Sequence, residues 1–413
     1  MRPRVLLALV LCAAPALVRA DAALQAFLEQ TLAAARDKDN LPAVAALIQV
    51  DGKIEAEAAL GVRALGHPEP ITVEDRWHIG SDTKAFTSTM IARLVEQRVM
   101  SFDATLADSF PAFAKEMAPA YRSITVMQLL SHTAGLPPLT DDKDLPPFLA
   151  VIRTADGVQA QRVAIARKYL TMPPASKAGE YEYSNLGYII AGAIAEAHTG
   201  KTWEDLIREQ VFAPLGIKNA GFGAPGTTGK FDQPHGHRDT AGKLIPLDPA
   251  DTEGDNPPAL GPAGTINIAL KDWMLFAQDQ LEGVHGRGRL LKAETYRKLH
   301  TPVTGHYALG WGAMLEPDGA PALLTHSGSN GYWLVDIRIM PKHDMIILVA
   351  MNSGNEAAET AVVDIGKPLK DRLKPFECCA SVLRDPGIGL GGGGISFYLR
   401  SCALATRSGG GRS

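Results

Sequence analysis

Between Asp21 and Glu377 the sequence has no cysteine; its four cysteines are Cys12, Cys378, Cys379 and Cys402. A body without thiols holds neither a disulfide framework nor a thiolate metal site. A long apolar run is missing as well: Val5–Val18 is interrupted by Pro15 and is shorter than the ~20 residues that cross a bilayer. Basic excess is absent, because the formal net charge is −4, so no basic face of the kind that binds nucleic acid is expected. Aromatics are only 6%, but 46% of the residues are apolar, which excludes disorder as the state of the bulk. What remains is a chain of 413 residues, long enough for two or three structural units or for one domain with a large insertion.

The two ends differ from the body. Arg2 and Arg4 precede the apolar run, and Val18-Arg19-Ala20 resembles a small-residue cleavage site. Residues 1–20 therefore read as a secretory signal peptide, which predicts a periplasmic or secreted protein with no stable membrane span after cleavage. Leu11 is too bulky for a lipobox before Cys12, so lipidation is not expected. Residues 376–413 form a Gly-rich tail, including Gly391–Gly394, expected to be disordered; a flexible attachment is the other reading.

Residues 21–375 make up the body. Leu24, Phe27, Leu28 and Leu32 lie on one stripe of a helix predicted over Ala22–Asp37. The apolar run Ala43–Val50, the turn Asp51-Gly52 and the alternating Lys53–Leu60 predict a β-hairpin. Helices are predicted over Ser81–Val99, Thr125–Ser131, Val158–Leu170, Asn185–His198, Trp203–Val211 and Lys271–Leu281, with Pro- and Gly-rich loops at Leu136–Pro147 and Pro246–Gly264. Tyr307–Leu315, Ala322–His326, Tyr332–Met340 and Met345–Met351 read as strands, and a helix over Glu356–Leu373 closes the body. Strands at both ends with helices between them predict an α+β fold: an antiparallel sheet over about 21–80 and 300–375, flanked by helices, with a mostly helical inserted region over about 81–299.

Three short segments carry chemistry. Ser81-Asp82-Thr83-Lys84, the chain's one Ser-x-x-Lys, sits at a glycine-preceded helix start. Residues three apart on a helix are neighbours, so the amine reaches the hydroxyl, and a desolvated lysine with a lowered pKa can act as its base. Ser81 as a plain helix cap is the alternative. Tyr183-Ser184-Asn185 offers a buried phenol, able to shuttle protons if partly ionised, and an amide to hold a lysine or a substrate carbonyl; a tyrosine-rich loop entering a helix is the alternative. His326-Ser327-Gly328-Ser329 lies at a strand end, where a backbone N–H can complete an oxyanion hole. The sequence contains no Gly-x-Ser-x-Gly elbow, which disfavours an α/β-hydrolase. His235 and His237 near Asp232 have only generic spacing, so no metal site is expected there, and His78 and His132 are expected to make structural hydrogen bonds.

Ser81-x-x-Lys84, Tyr183-x-Asn185 and His326-x-Gly328, in that order, resemble the penicillin-binding-protein and serine β-lactamase superfamily over roughly residues 24–372. Leu129–Leu136, Pro262–Thr265 and Leu309–Gly312 resemble its class C-like branch. The resemblance implies a β-lactamase/transpeptidase-like fold and a serine hydrolase working through an acyl-enzyme without metal or cofactor. Ser81 is then the nucleophile, with Lys84 and Tyr183 as the coupled base and acid. Asn185 orients Lys84 and the substrate, and the N–H groups of Ser81 and Ser329 form the oxyanion hole beside Gly328. The Ser-Asp-Asn element of class A β-lactamases is absent, so their deacylating-glutamate scheme does not transfer.

One position departs from the dedicated β-lactamases: His326 stands where they usually carry lysine. An imidazole, mostly neutral at pH 7, offers a β-lactam carboxylate less than a fixed cation does. The expectation is therefore a carboxylesterase on short acyl esters, with β-lactamase or D-Ala-D-Ala carboxypeptidase activity as the alternative. The partner is a small-molecule ester, amide or lactam; the oligomeric state is left open. A catalytically silent ligand-binding or scaffold relative is the rival from another class.

Overall fold

The computed structural model describes residues 22–251 and 254–373; the expected signal peptide and the Gly-rich tail lie outside the described residues. Eleven strands are present among them: β1 Ala43–Val50, β2 Lys53–Gly61, β3 Arg76–His78, β4 Ala220–Phe222, β5 His237–Thr240, β6 Lys243–Pro246, β7 Ile266–Ala269, β8 Gly312–Leu315, β9 Pro321–Ser329, β10 Leu334–Met340 and β11 Met345–Met351. The main sheet has six strands in the order β2-β1-β11-β10-β9-β8, every pair antiparallel. The strands at the two ends of the body thus meet in one sheet, with β1 against β11, as the sequence pattern predicts.

Side chains alternate across a strand, so an apolar run buried on both faces feeds two cores. In β1, Val44, Ala46 and Ile48 face the terminal helices Ala22–Asp39 and Glu356–Leu373, packing with Leu24, Leu28, Leu32, Ile365 and Leu369. Ala43, Ala45 and Leu47 face the other way, joining Val335, Ile337, Leu348 and Ala350 from β10 and β11. That second core includes Trp77, Phe86, Trp311 and Trp333 and continues into the helical region. A three-stranded sheet, β3-β7-β4, and the β5–β6 hairpin complete the inserted part.

Several element ends shift by one to three residues from expectation, and three differences are larger or change the kind of structure. Of the strand predicted over Tyr307–Leu315, only Gly312–Leu315 is strand, because Tyr307 makes isolated bridges to Thr304 and Gly312 instead. β9 runs to Ser329 rather than stopping at His326, so the whole His326–Ser329 segment is strand. The expected helix over Trp203–Val211 is α-helical to Ile207 and widens into a π-turn at Arg208–Phe212.

Candidate active site

His78 ends β3, and the chain turns through one 3₁₀ turn, Gly80–Asp82, into the Thr83–Glu96 helix. Ser81 is on that turn and Lys84 one turn further on, where its side chain is fully buried. Lys84 Nζ lies 2.8 Å from Asn185 Oδ1, 2.8 Å from Ala263 O and 2.9 Å from Ser81 Oγ. A neutral amine has two N–H bonds and one lone pair. Once deprotonated, Lys84 can give its two N–H bonds to the two carbonyl oxygens and turn its lone pair to Ser81. Burial pushes the Lys84 ammonium well below its ordinary pKa, while the Asp82 carboxylate opposes that shift.

Tyr183 and Asn185 arrive from the loop that opens the Asn185–Thr199 helix. Asn185 Nδ2 donates to Leu139 O at 2.8 Å, which leaves Oδ1 facing Lys84. Leu139 adopts φ +54°, a left-handed backbone uncommon for a residue with a branched side chain, and this conformation delivers its carbonyl to the amide. Tyr183 Oη donates to Ser81 Oγ at 2.8 Å. Its ring packs 4.3 Å from the His132 ring and edge-on to Tyr307 at 6.3 Å. Burial pushes the Tyr183 phenol well above its ordinary pKa, so the partly ionised phenol envisaged from the sequence is not the resting form. Ser81 Oγ is thus the meeting point of two hydrogen bonds, from Tyr183 Oη and from Lys84 Nζ, which together form a path for its proton.

The third segment lies along β9. A Cβ on Gly328 would fall 2.0 Å from Ile79 O, and one on Gly80 would fall 2.5 Å from Ser329 N, so these two glycines let the strand touch the Ser81 turn. His326 Nδ1 is 2.8 Å from Ser327 O and 3.0 Å from Asp82 Oδ1, while Nε2 is 3.2 Å from Tyr307 Oη. Ser329 Oγ donates to Trp333 O at 2.6 Å and is thereby fixed in the turn that follows. Ser81, Lys84, Tyr183 and Asn185 therefore share one hydrogen-bonded cluster, with His326, Gly328 and Ser329 on the strand beside it.

Several neighbours carry no motif. Tyr307 and Asp82 contact His326; the first reads in sequence as an ordinary strand residue and the second as an unspecified position inside Ser-x-x-Lys. Asp255 lies 3.1 Å from His78 Nε2 and accepts from Asn330 Nδ2 at 3.0 Å, tying the approach to Ser81 to the turn after β9. His132 Nδ1 accepts from Ser184 N–H at 3.1 Å, and His78 Nδ1 from Gly80 N–H at 3.2 Å, in keeping with the structural bonds expected of them. Both His237 nitrogens are engaged, Nδ1 with Asn352 O at 2.7 Å and Nε2 with Leu65 N at 3.1 Å, so neither is free for a metal. No metal-holding group of three or more His, Cys, Asp or Glu residues occurs among the described residues.

Comparison with known proteins yields a family model described as Beta-lactamase, matching residues 28–365. Penicillin-binding protein 4 of Amycolatopsis lactamdurans is 29% identical over 333 residues, 78% of this chain and 83% of that protein. Among solved structures, EstCE1, a hydrolase with promiscuous acyltransferase activity, superposes with a TM-score of 0.69 at 17% identity, covering 84% of this chain and all of that one. A class C beta lactamase from Rhodobacter sphaeroides gives 0.64 at 18% identity, over 82% of this chain and 98% of its own. At those identities the two structures speak for the fold alone.

Proposed function

The chain belongs to the Beta-lactamase family, and on that premise we propose that this serine hydrolase is an exported carboxylesterase that cleaves short acyl esters through Ser81. The observation that carries the assignment of Ser81 is the amine geometry: the buried Lys84 Nζ lies 2.9 Å from Ser81 Oγ and is held there by Asn185 Oδ1 and Ala263 O, each at 2.8 Å. Lys84 takes the Ser81 proton as Oγ attacks the ester carbonyl. The N–H groups of Ser81 and Ser329 stabilise the oxyanion of the tetrahedral intermediate. Collapse breaks the bond to the alkoxide, and Tyr183, protonated at rest, supplies the proton that the leaving group needs. A water then attacks the acyl-enzyme, giving its proton back through the same pair, and Ser81 is released. Export rests on residues 1–20.

Ester preference is supported by His326, which faces the site without a lysine's fixed charge. β-Lactam acylation is the second reading, favoured by the relative whose name is penicillin-binding protein. A silent scaffold is set aside, because the chain is a member of a family of serine hydrolases and keeps serine, lysine, tyrosine and asparagine in mutual contact. A panel of p-nitrophenyl esters, a chromogenic cephalosporin and a D-Ala-D-Ala peptide tests the choice. Short esters should give the highest kcat/KM; far more efficient hydrolysis of the cephalosporin or the peptide would refute the ester assignment.

A further inference from the structure

Asp82 follows the nucleophile and occupies the N-cap position of the Thr83–Glu96 helix, where an aspartate ordinarily accepts a backbone N–H. Here it does not: its backbone is already helical, at φ −64° and ψ −17°, and its side chain makes no capping bond. The carboxylate is instead buried, 2% exposed, with Oδ1 3.0 Å from His326 Nδ1. A buried carboxylate that makes no cap needs another partner, and the His326 imidazole lies directly against it.

We propose that Asp82 sets the charge selectivity of the site: it neutralises the residue at position 326, so that the third motif offers no net positive charge to a substrate carboxylate. The proposal deepens the ester reading and rests on it. With one proton between them, the Asp82–His326 pair is neutral; with none, it carries −1. Only a second proton makes it a cation. Burial raises the Asp82 carboxyl to about 6, so it is still largely ionised at pH 7.5. The remaining groups that act on Asp82 are Lys84, whose charged form burial disfavours, and Asp336, which adds negative charge; Tyr183 and Tyr307, near the pair, are phenols that burial keeps protonated. Asp336 is itself held by Ser327 Oγ at 3.0 Å and Arg338 Nε at 2.7 Å, on the far side of β9 from the catalytic serine.

A consequence distinguishes this from a simple lack of lysine. A lysine placed at 326 would meet the same carboxylate and be neutralised in turn, so restoring the cation requires two changes. The test uses the full chain and two esters with one leaving group, neutral p-nitrophenyl acetate and anionic mono-p-nitrophenyl glutarate, at pH 7.5 and low salt. The ratio of kcat/KM, anionic over neutral, should move less than about threefold in His326→Lys, and rise about tenfold or more when Asp82→Asn is added. An equal rise in His326→Lys alone, or none in the double variant, would overturn the proposal. Should Asp82→Asn impair folding, seen as a lowered Tm and lost fluorophosphonate labelling, the wild-type chain decides. Its ratio should climb as pH falls from 7.5 to 5.5, because the Asp82 carboxylate takes up a proton through about 6 while the glutarate carboxylate, with a pKa of ~4.5, stays largely ionised. A flat ratio refutes the assignment. Failure of the ester reading looks different: the wild type would turn over neither ester. The same variants are then compared on a penicillin and its methyl ester, and the carboxylate ratio still judges Asp82.

Discussion

Lys84 depends on environment more than any other residue in the site. An exposed lysine is protonated at neutral pH and cannot accept a proton; this one is fully buried, with Asn185 Oδ1 and Ala263 O each 2.8 Å from its Nζ. Its pKa is lowered mainly by desolvation, so a neutral amine is available well below the ordinary lysine range. Activity requires the deprotonated form, so kcat/KM should rise with pH through the lowered Lys84 pKa and then level off. Lys84→Arg keeps the charge and cannot lose it, and should reduce kcat by about 10²–10⁴-fold while fluorophosphonate labelling of Ser81 slows in parallel. A Lys84→Arg enzyme with near-normal turnover would mean that another group removes the proton. In sequence, Lys84 was legible from its spacing to Ser81. The carbonyl of Ala263 and the left-handed Leu139 were not, because a backbone oxygen has no residue signature and a fold brings it from far along the chain.

At the level of elements, strand β9 brings the third motif to the nucleophile. Its approach needs bare backbone at Gly328, where an added methyl would fall 2.0 Å from Ile79 O, with Asp82 N at 3.0 Å. Neither neighbour is the end of a flexible side chain, so the strand itself would have to back away. Gly328→Ala should therefore lower stability by about 1–3 kcal/mol and reduce kcat/KM by more than the loss of folded protein explains. Urea unfolding together with active-site titration separates the two effects; unchanged activity per folded molecule would show that the close approach is dispensable. The main sheet was legible because its strands are long and their apolar residues feed two cores. β3, β4 and β7 were not, being three or four residues each, too short to show a period. The Leu145–Ile152 helix hid behind Pro146 and Pro147, which read as a loop but occupy the first turn, where proline is tolerated.

In the whole molecule, the site lies where the sheet meets the helical region, and each side contributes part of it. Ser81 and Lys84 come from the start of one helix, Asn185 from the start of another, Ala263 from the segment before β7, and His326 to Ser329 from the sheet. Polar ties hold these pieces in place. Arg162, fully buried, pairs with Glu196 at 2.5 Å and Glu204 at 2.7 Å and donates to Pro258 O and Ala259 O, which anchors the chain leading to Ala263. Asp255 joins His78 to Asn330 across the other side. Such long-range ties were illegible in the sequence, which showed the motifs but not what fixes their distances. Under the proposed function these pieces converge to make Ser81 a nucleophile that is transiently acylated. The most direct measurement is mass spectrometry of the intact chain after reaction with a fluorophosphonate or a slowly released ester, followed by peptide mapping. A single adduct on Ser81, absent in Ser81→Ala along with turnover, is the predicted result; an adduct on another residue, or full activity in Ser81→Ala, would contradict it.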